Sequence, residues 1–189
     1  MKMRRFLTII AACFIAVTVS AQTSHLKFMG IPLNGTITNF HAKLVQKGFR
    51  PDVAFNRIGG QGHRLFGGGT FSGEDANIHV YYNPKTKIVY RAKAVLDRSS
   101  EDGIESLYNQ FKRSVGNKYA DCSLSEEGEQ NGYESIGYYI FNSDRTLLGV
   151  IGLYISKYED SYEDTWSLHI DYEDYANSEK NEDLNSDDL

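Results

Sequence analysis

Seven glycines fall between Gly59 and Gly73, and the runs Gly59-Gly60-Gln61-Gly62-His63-Arg64 and Gly67-Gly68-Gly69-Thr70 raise phosphate binding as the first chemistry to weigh. A phosphate cradle needs backbone N–H groups converging at a helix N-terminus, with a Lys aimed at the anion. Here a weak strand, Arg64 to Phe71, follows and no Gly-Lys-Ser/Thr occurs, so bulged or flexible strand is the expectation. Nucleophilic catalysis would need Cys122 or a serine beside a positioned histidine, yet His25, His41, His63, His79 and His169 are scattered singly. Asp121 sets a negative charge beside Cys122, the opposite of what an activated thiolate needs. No Gly-x-Ser-x-Gly elbow is present.

Two areas could hold a metal. Glu159, Asp160, Glu163 and Asp164 supply oxygens suited to calcium but lack the alternating pattern and glycine turn of a dedicated loop, so a solvated acidic hairpin tip is expected. His79 and His169 could share a metal only if their strands were neighbours. The expectation is no metal site, no cofactor and no assigned catalytic residue.

The aromatic pattern points to recognition. Strand alternation puts Tyr81, Arg91 and Lys93 on one side, opposite the Ile78, Val80 and Ala92 face that suits helix packing. Along the last strand Trp166, Leu168, Ile170 and Tyr172 read as inward, leaving Thr165, Ser167, His169 and Asp171 outward. Tyr81, Arg91, Lys93, Tyr139, Tyr154 and His169 are therefore the candidate ligand-binding residues. Tyr and Arg combine large contact area with a polar end, which suits binding hot spots.

The elements that must carry these residues can be read from periodicity. Ile37, Phe40, Leu44 and Val45 predict a helix from Thr36 to Gln46, capped by Thr36 and closed at Gly48. Asn77 to Tyr82 and Lys87 to Leu96 read as a hairpin around Asn83-Pro84-Lys85-Thr86. Ser99 or Ser100 caps a second helix reaching about Tyr119, with Ile104, Leu107, Tyr108, Phe111 and Val115 as its apolar stripe. After a polar loop through Ser125-Glu126-Glu127-Gly128 come three strands, near Tyr133 to Phe141, Thr146 to Ser156 and Thr165 to Tyr172. The resulting expectation is an α+β fold of two αβββ halves, residues 22–98 and 99–175. Helices pack on one face of an antiparallel sheet whose other face is partly open to water. The similar Asn-led turns after Phe141 and Tyr82 suggest internal duplication. Residues 176–189 read as a disordered acidic tail.

The chain opens on a basic n-region, Met1-Lys2-Met3-Arg4-Arg5, followed by an apolar run from Phe6 to Val19 and the small-residue pattern Val19-Ser20-Ala21. This predicts a signal peptide over residues 1–21, cleaved before Gln22, and a periplasmic or secreted domain. The run is too short for an anchor, so no transmembrane segment is expected after processing. Ile10-Ala11-Ala12-Cys13 offers a lipoprotein alternative, but the apolar run continues past Cys13 and cleavage there would leave a short core. Losing the leader removes three of the 20 Lys and Arg and none of the 25 Asp and Glu, moving the net charge from −5 to −8. Nucleic acid and anionic lipid are therefore poor partners. Cys122 is the one cysteine left, so no internal disulfide can form.

The runs His25-Leu26-Lys27-Phe28-Met29-Gly30-Ile31-Pro32-Leu33-Asn34-Gly35-Thr36 and Gly69-Thr70-Phe71-Ser72-Gly73, followed by Ile78-His79-Val80-Tyr81-Tyr82, resemble a group of uncharacterised exported proteins of gut anaerobic bacteria. Their helix-plus-antiparallel-sheet repeats resemble the β-lactamase inhibitory protein fold. The resemblance covers most of Gln22 to Tyr175 and implies that fold, with no catalytic residues; the inhibitor's disulfides have no counterpart here. The leading functional expectation is a non-enzymatic binding module for a protein or glycan of the envelope or the surroundings. A secreted hydrolase with an unrecognised site and an inhibitor of a secreted enzyme are the alternatives.

Overall fold

Residues 25–58, 60–159, 164–178 and 180 are described by the computed structural model. The expected leader, Cys13, residues 160–163 of the acidic link and the tail from residue 181 lie outside the described residues. In chain order the elements are β1 (Lys27–Phe28), β2 (Ile31–Pro32), α1 (Ile37–Gln46), β3 (Arg50–Pro51) and α2 (Val53–Ile58). β4 (His63–Phe71), β5 (Glu74–Tyr82), β6 (Val89–Arg98), α3 (Glu101–Lys118), β7 (Ser123–Gln130), β8 (Tyr133–Phe141), β9 (Leu147–Glu159) and β10 (Asp164–Asp174) complete them.

The fold is α+β, with one eight-stranded antiparallel sheet in the order β3-β4-β5-β6-β10-β9-β8-β7. Each half supplies a meander, and the two meet where β6 pairs with β10, from Trp166 opposite Arg98 to Glu173 opposite Arg91. Alternation then sorts the side chains. Ile78, Val80, Ala92, Ala94, Leu96, Ile151, Leu153, Leu168 and Ile170 are all buried on one face. The alanines of β6 leave room for a helix, and α3 lays Ile104, Leu107, Tyr108, Phe111 and Val115 against β6, β9 and β10. α1 buries Phe40 and Leu44, four residues apart, and Phe28 joins it to the sheet through Phe40, Phe71 and Tyr172.

The helix starts follow their caps. Thr36 Oγ1 accepts from the Asn39 N–H at 3.4 Å, and Ser100 Oγ accepts from the Gly103 N–H at 3.3 Å. The macrodipole of α3 is met by Glu101 and Asp102 in its first turn and Lys118 in its last.

Three features differ from the sequence reading. The expected polar loop at Ser125 to Gly128 is the middle of strand β7, so the second half carries four long strands. β7 is the sheet's outer strand and is exposed along nearly all its length, so neither face needs apolar residues and no alternation marks it. Its hairpin partner follows Asn131-Gly132, both at positive φ (56° and 80°), the signature of a two-residue turn. The short helix α2 also went unmarked; it begins where Asp52 Oδ1 accepts from the Phe55 N–H at 2.8 Å.

The third difference is at the start of the expected tail. Asp174 is fully buried, where a carboxylate must collect donors. It accepts from the Leu26 N–H at 2.9 Å and the Asn177 N–H at 3.2 Å, and His25 Nδ1 lies 3.0 Å away. Asn177 also donates to the Leu33 carbonyl at 2.6 Å, and Ser178 bonds to Glu173. Residues 176–178 thus form a docked helical turn, because their polar groups serve a buried charge rather than water.

Candidate functional site

The face of the sheet away from α1 and α3 gathers most of the chemistry-bearing side chains. Register places them in rows across the strands. His63 on β4, Tyr81 on β5, Arg91 on β6 and Glu173 on β10 form one row. His79, Lys93, Asp171 and Gly152 form the next, which Gly137 on β8 continues. Val95, His169 and Tyr154 form the third.

Within these rows the rings stand against one another. His63 stacks on Tyr81 at 4.4 Å between centroids, and the Arg91 guanidinium lies 5.2 Å from the same ring. Tyr154 stacks on His169 at 4.5 Å, nearly parallel. His63 Nε2 and His79 Nδ1 are 3.0 Å apart, and Phe55 of α2 sets its edge against both rings. Arg91 grips the 7 % exposed Asp171 through Nε at 2.8 Å and through NH2. Lys93 Nζ reaches Tyr154 Oη at 3.5 Å.

Five of the six expected residues, Tyr81, Arg91, Lys93, Tyr154 and His169, therefore share one patch, each half-buried. Tyr139 faces the same way but does not join them. It lies in the Tyr81 row four strands further on, roughly 19 Å away at normal strand spacing, bonded to Glu126. Arg91 is less free than a surface arginine, since its fork is committed to Asp171. His63, His79, Asp171 and Ser156 belong to the patch but were not among the expected residues. Alternation on β5 already put His79 beside Tyr81, but which strands are neighbours depends on sheet order, and periodicity is silent on that.

Burial controls the ionisation here. It pushes the His79 imidazole down to about 4, with Lys93 the next cause, and His169 down to about 4 for the same two reasons. Burial and Lys93 also lower His63. Lys93 is itself lowered by burial, partly countered by Asp171, and the Tyr154 hydroxyl is pushed up to about 12 by burial and then by Asp171. At neutral pH the patch thus holds neutral imidazoles around two cations, Arg91 and Lys93, which face Asp171 and, beside Arg91, Glu173.

A histidine held neutral binds fewer protons folded than unfolded between its folded value, about 4, and its ordinary 6.5. Stability should therefore be fully present above pH 6.5 and be lost as pH falls through about 4. A His79→Gln, His169→Gln double variant should show a flatter fall of Tm between about pH 6.5 and 4 than the parent. Parallel Tm curves for the two proteins would contradict this.

Ser156 Oγ lies 2.7 Å from His169 Nε2, which raises a nucleophilic dyad. The other ring nitrogen, Nδ1, is buried without a partner. A buried N–H without an acceptor is rarer than an underused acceptor, so the proton belongs on Nε2, which donates to Ser156. That tautomer leaves the hydroxyl unactivated, and among the described residues no carboxylate bonds to the ring. A separate cleft of about 600 Å³ between β7 and the β8–β9 turn is lined by Cys122, Phe141, Asn142 and Arg145 among others, with no histidine in its wall to serve as base.

No three His, Cys, Asp or Glu side chains converge on a metal position among the described residues. β6 separates His79 from His169, while Glu159 and Asp164 both pair with Lys157 at 2.9 Å. No helix among the described residues is long and apolar enough to cross a membrane. No family model, curated protein or solved structure matches the chain, so the role of the open face has to be argued from its own chemistry.

Proposed function

We propose that the protein is an exported, non-enzymatic binding module that recognises a protein or glycan of the envelope or surroundings through the open face of its sheet. The observation that carries this reading is the convergence of Tyr81, Arg91, Lys93, Tyr154 and His169 from four adjacent strands on the face that α1 and α3 leave uncovered. Cross-strand stacking and the Arg91–Asp171 pair fix most of these side chains in place. Little rotamer freedom then remains to be lost on binding, which favours affinity. The patch also concentrates cationic and aromatic groups on a chain whose net charge is −5, so it differs chemically from the rest of the surface.

The test is affinity capture from the native envelope and surroundings with the parent protein and with Tyr81→Ala and Tyr154→Ala. A partner using this face should bind each variant more than about fivefold more weakly, a loss above about 1 kcal/mol, while both variants melt cooperatively. Equal binding by the parent and both folded variants would remove the open face as the recognition surface. The hydrolase alternative would have to run through Ser156 and His169, whose preferred tautomer opposes it.

A further inference from the structure

The middle row of the open face changes character across the sheet. His79, Lys93 and Asp171 fill it over β5, β6 and β10, and then Gly152 on β9 and Gly137 on β8 leave it without side chains. A Cβ placed on Gly152 would meet nothing nearer than 4.0 Å, and one on Gly137 nothing nearer than 3.8 Å, so no neighbour needs these glycines for close packing. The result is a shallow stretch floored by backbone, closed by Asp171 on β10, with Lys93 behind it on β6 reaching forward to Tyr154. His169 covers one face of the Tyr154 ring, so the ring's other face is turned toward β8.

The charges at that end are unevenly paired. Asp171 and Glu173 both face the two cations, but Arg91 holds Asp171 with both arms of its fork and also lies opposite Glu173. Among the described residues the Lys93 ammonium forms no ion pair within 4 Å; Asp171 on the next strand acts on it only through its charge, and its hydrogen bond is the long one to Tyr154. A half-buried ammonium with donors to spare is complementary to an anion. All of this lies in the interior of an eight-stranded sheet, where the backbone groups are committed to neighbouring strands, so an extended peptide cannot add itself as a strand. A ring with an apolar flat side and a polar rim suits the face of Tyr154 that His169 does not cover.

We propose that this shallow stretch binds a glycan of acidic sugars, with a sugar carboxylate paired to Lys93 Nζ and a sugar ring laid on Tyr154. The inference deepens the binding-module reading and rests on it. It names Gly152 and Gly137 as the floor that admits the ligand and Lys93 as the residue that selects an acidic sugar over a neutral one.

The test is calorimetric titration of the purified protein with trigalacturonate, a glucuronate-containing trisaccharide and sialyllactose, each beside its carboxyl methyl ester. At least one acid should bind, with its ester at least tenfold weaker. Lys93→Gln should lose at least tenfold for the acid and largely close the gap between acid and ester, and Lys93→Arg should recover part of the loss. Gly152→Leu, which fills the floor, should abolish binding in a protein that still melts cooperatively. Failure of all three acids to bind, acid and ester binding alike, or an unchanged Lys93→Gln would each overturn the proposal. Binding of a hexaglutamate peptide in place of every acidic sugar would overturn it too. A neutral glycan or protein ligand lost in Tyr81→Ala but kept in Lys93→Gln would overturn the acidic-sugar inference and leave the binding-module reading standing.

Discussion

Phe111→Ala is expected to destabilise the fold by about 3–5 kcal/mol, the usual cost of removing a buried phenylalanine and leaving a cavity behind. Phe111 is 4 % exposed and stacks on Phe71 at 5.8 Å, so it ties α3 to the end of β4, not only to the strands directly beneath the helix. Ile104, Leu107 and Val115 hold the helix above and below it, which limits how far the site can collapse. In a chain of this size each kcal/mol is worth about 2–4 °C, so a Tm loss of about 6 °C or more should be seen. A loss below about 1 kcal/mol, the range of ordinary surface changes, would mean that α3 does not seat this ring in the core.

Arg91→Ala should cost nearly as much, for a different reason. It leaves Asp171 with its charge and almost no water. Removing one member of a buried pair typically costs about 3–5 kcal/mol; the Arg91 side chain is 35 % exposed, so about 2–3 kcal/mol is expected here. Asp171→Ala added to Arg91→Ala should recover part of that loss, because the buried carboxylate is gone and the charge that remains, on Lys93, is only half-buried. Urea unfolding of the two single variants and the double variant measures the coupling. Strict additivity would show that the pair is not an energetic unit. An Arg91 variant with weakened ligand binding therefore has to be judged beside its Asp171 double, whereas Tyr81 and Tyr154 carry no buried charge with them.

How much of this could be read in advance depended on whether the controlling interaction was local. The caps at Thr36 and Ser100 and the stripes of α1 and α3 are set within a few residues, and they stand where periodicity put them. The turns after Tyr82 and Phe141 are equally local. Asn83 Oδ1 accepts from the Thr86 N–H and Asn142 Oδ1 from the Thr146 N–H, both at 2.9 Å, and Lys87 and Arg145 close the turns at positive φ. With β7 counted, each turn joins the second and third long strands of its half, a correspondence that the unmarked edge strand had hidden. Face assignments on β5, β6 and β10 follow from a period of two and hold for Tyr81, Arg91, Lys93 and His169. What alternation could not supply was strand order. The Arg91–Asp171 grip and the Ser156–His169 contact join residues far apart in the chain or across a hairpin, and only the pairing of β6 with β10 and of β10 with β9 creates them. Asp174 was hidden for a related reason: a buried acid and a solvated one look the same in sequence.

The pairing of β6 with β10 also sets the order in which the protein can be completed. β6 ends at Arg98, but the strand that covers its edge begins only at Asp164, so the first meander leaves the ribosome with a flank of unpaired backbone groups. Contacts this distant in sequence are slow to form, because the entropy of closing the intervening loop is spent before the contact returns anything. β9 waits for the same strand from its other side. Until β10 arrives the two halves are sheets with sticky margins, and once it is in place both margins disappear together. Loss of the last strand would therefore do more than shorten the sheet: it would split one continuous ladder into two, each with a new unpaired edge open to aggregation.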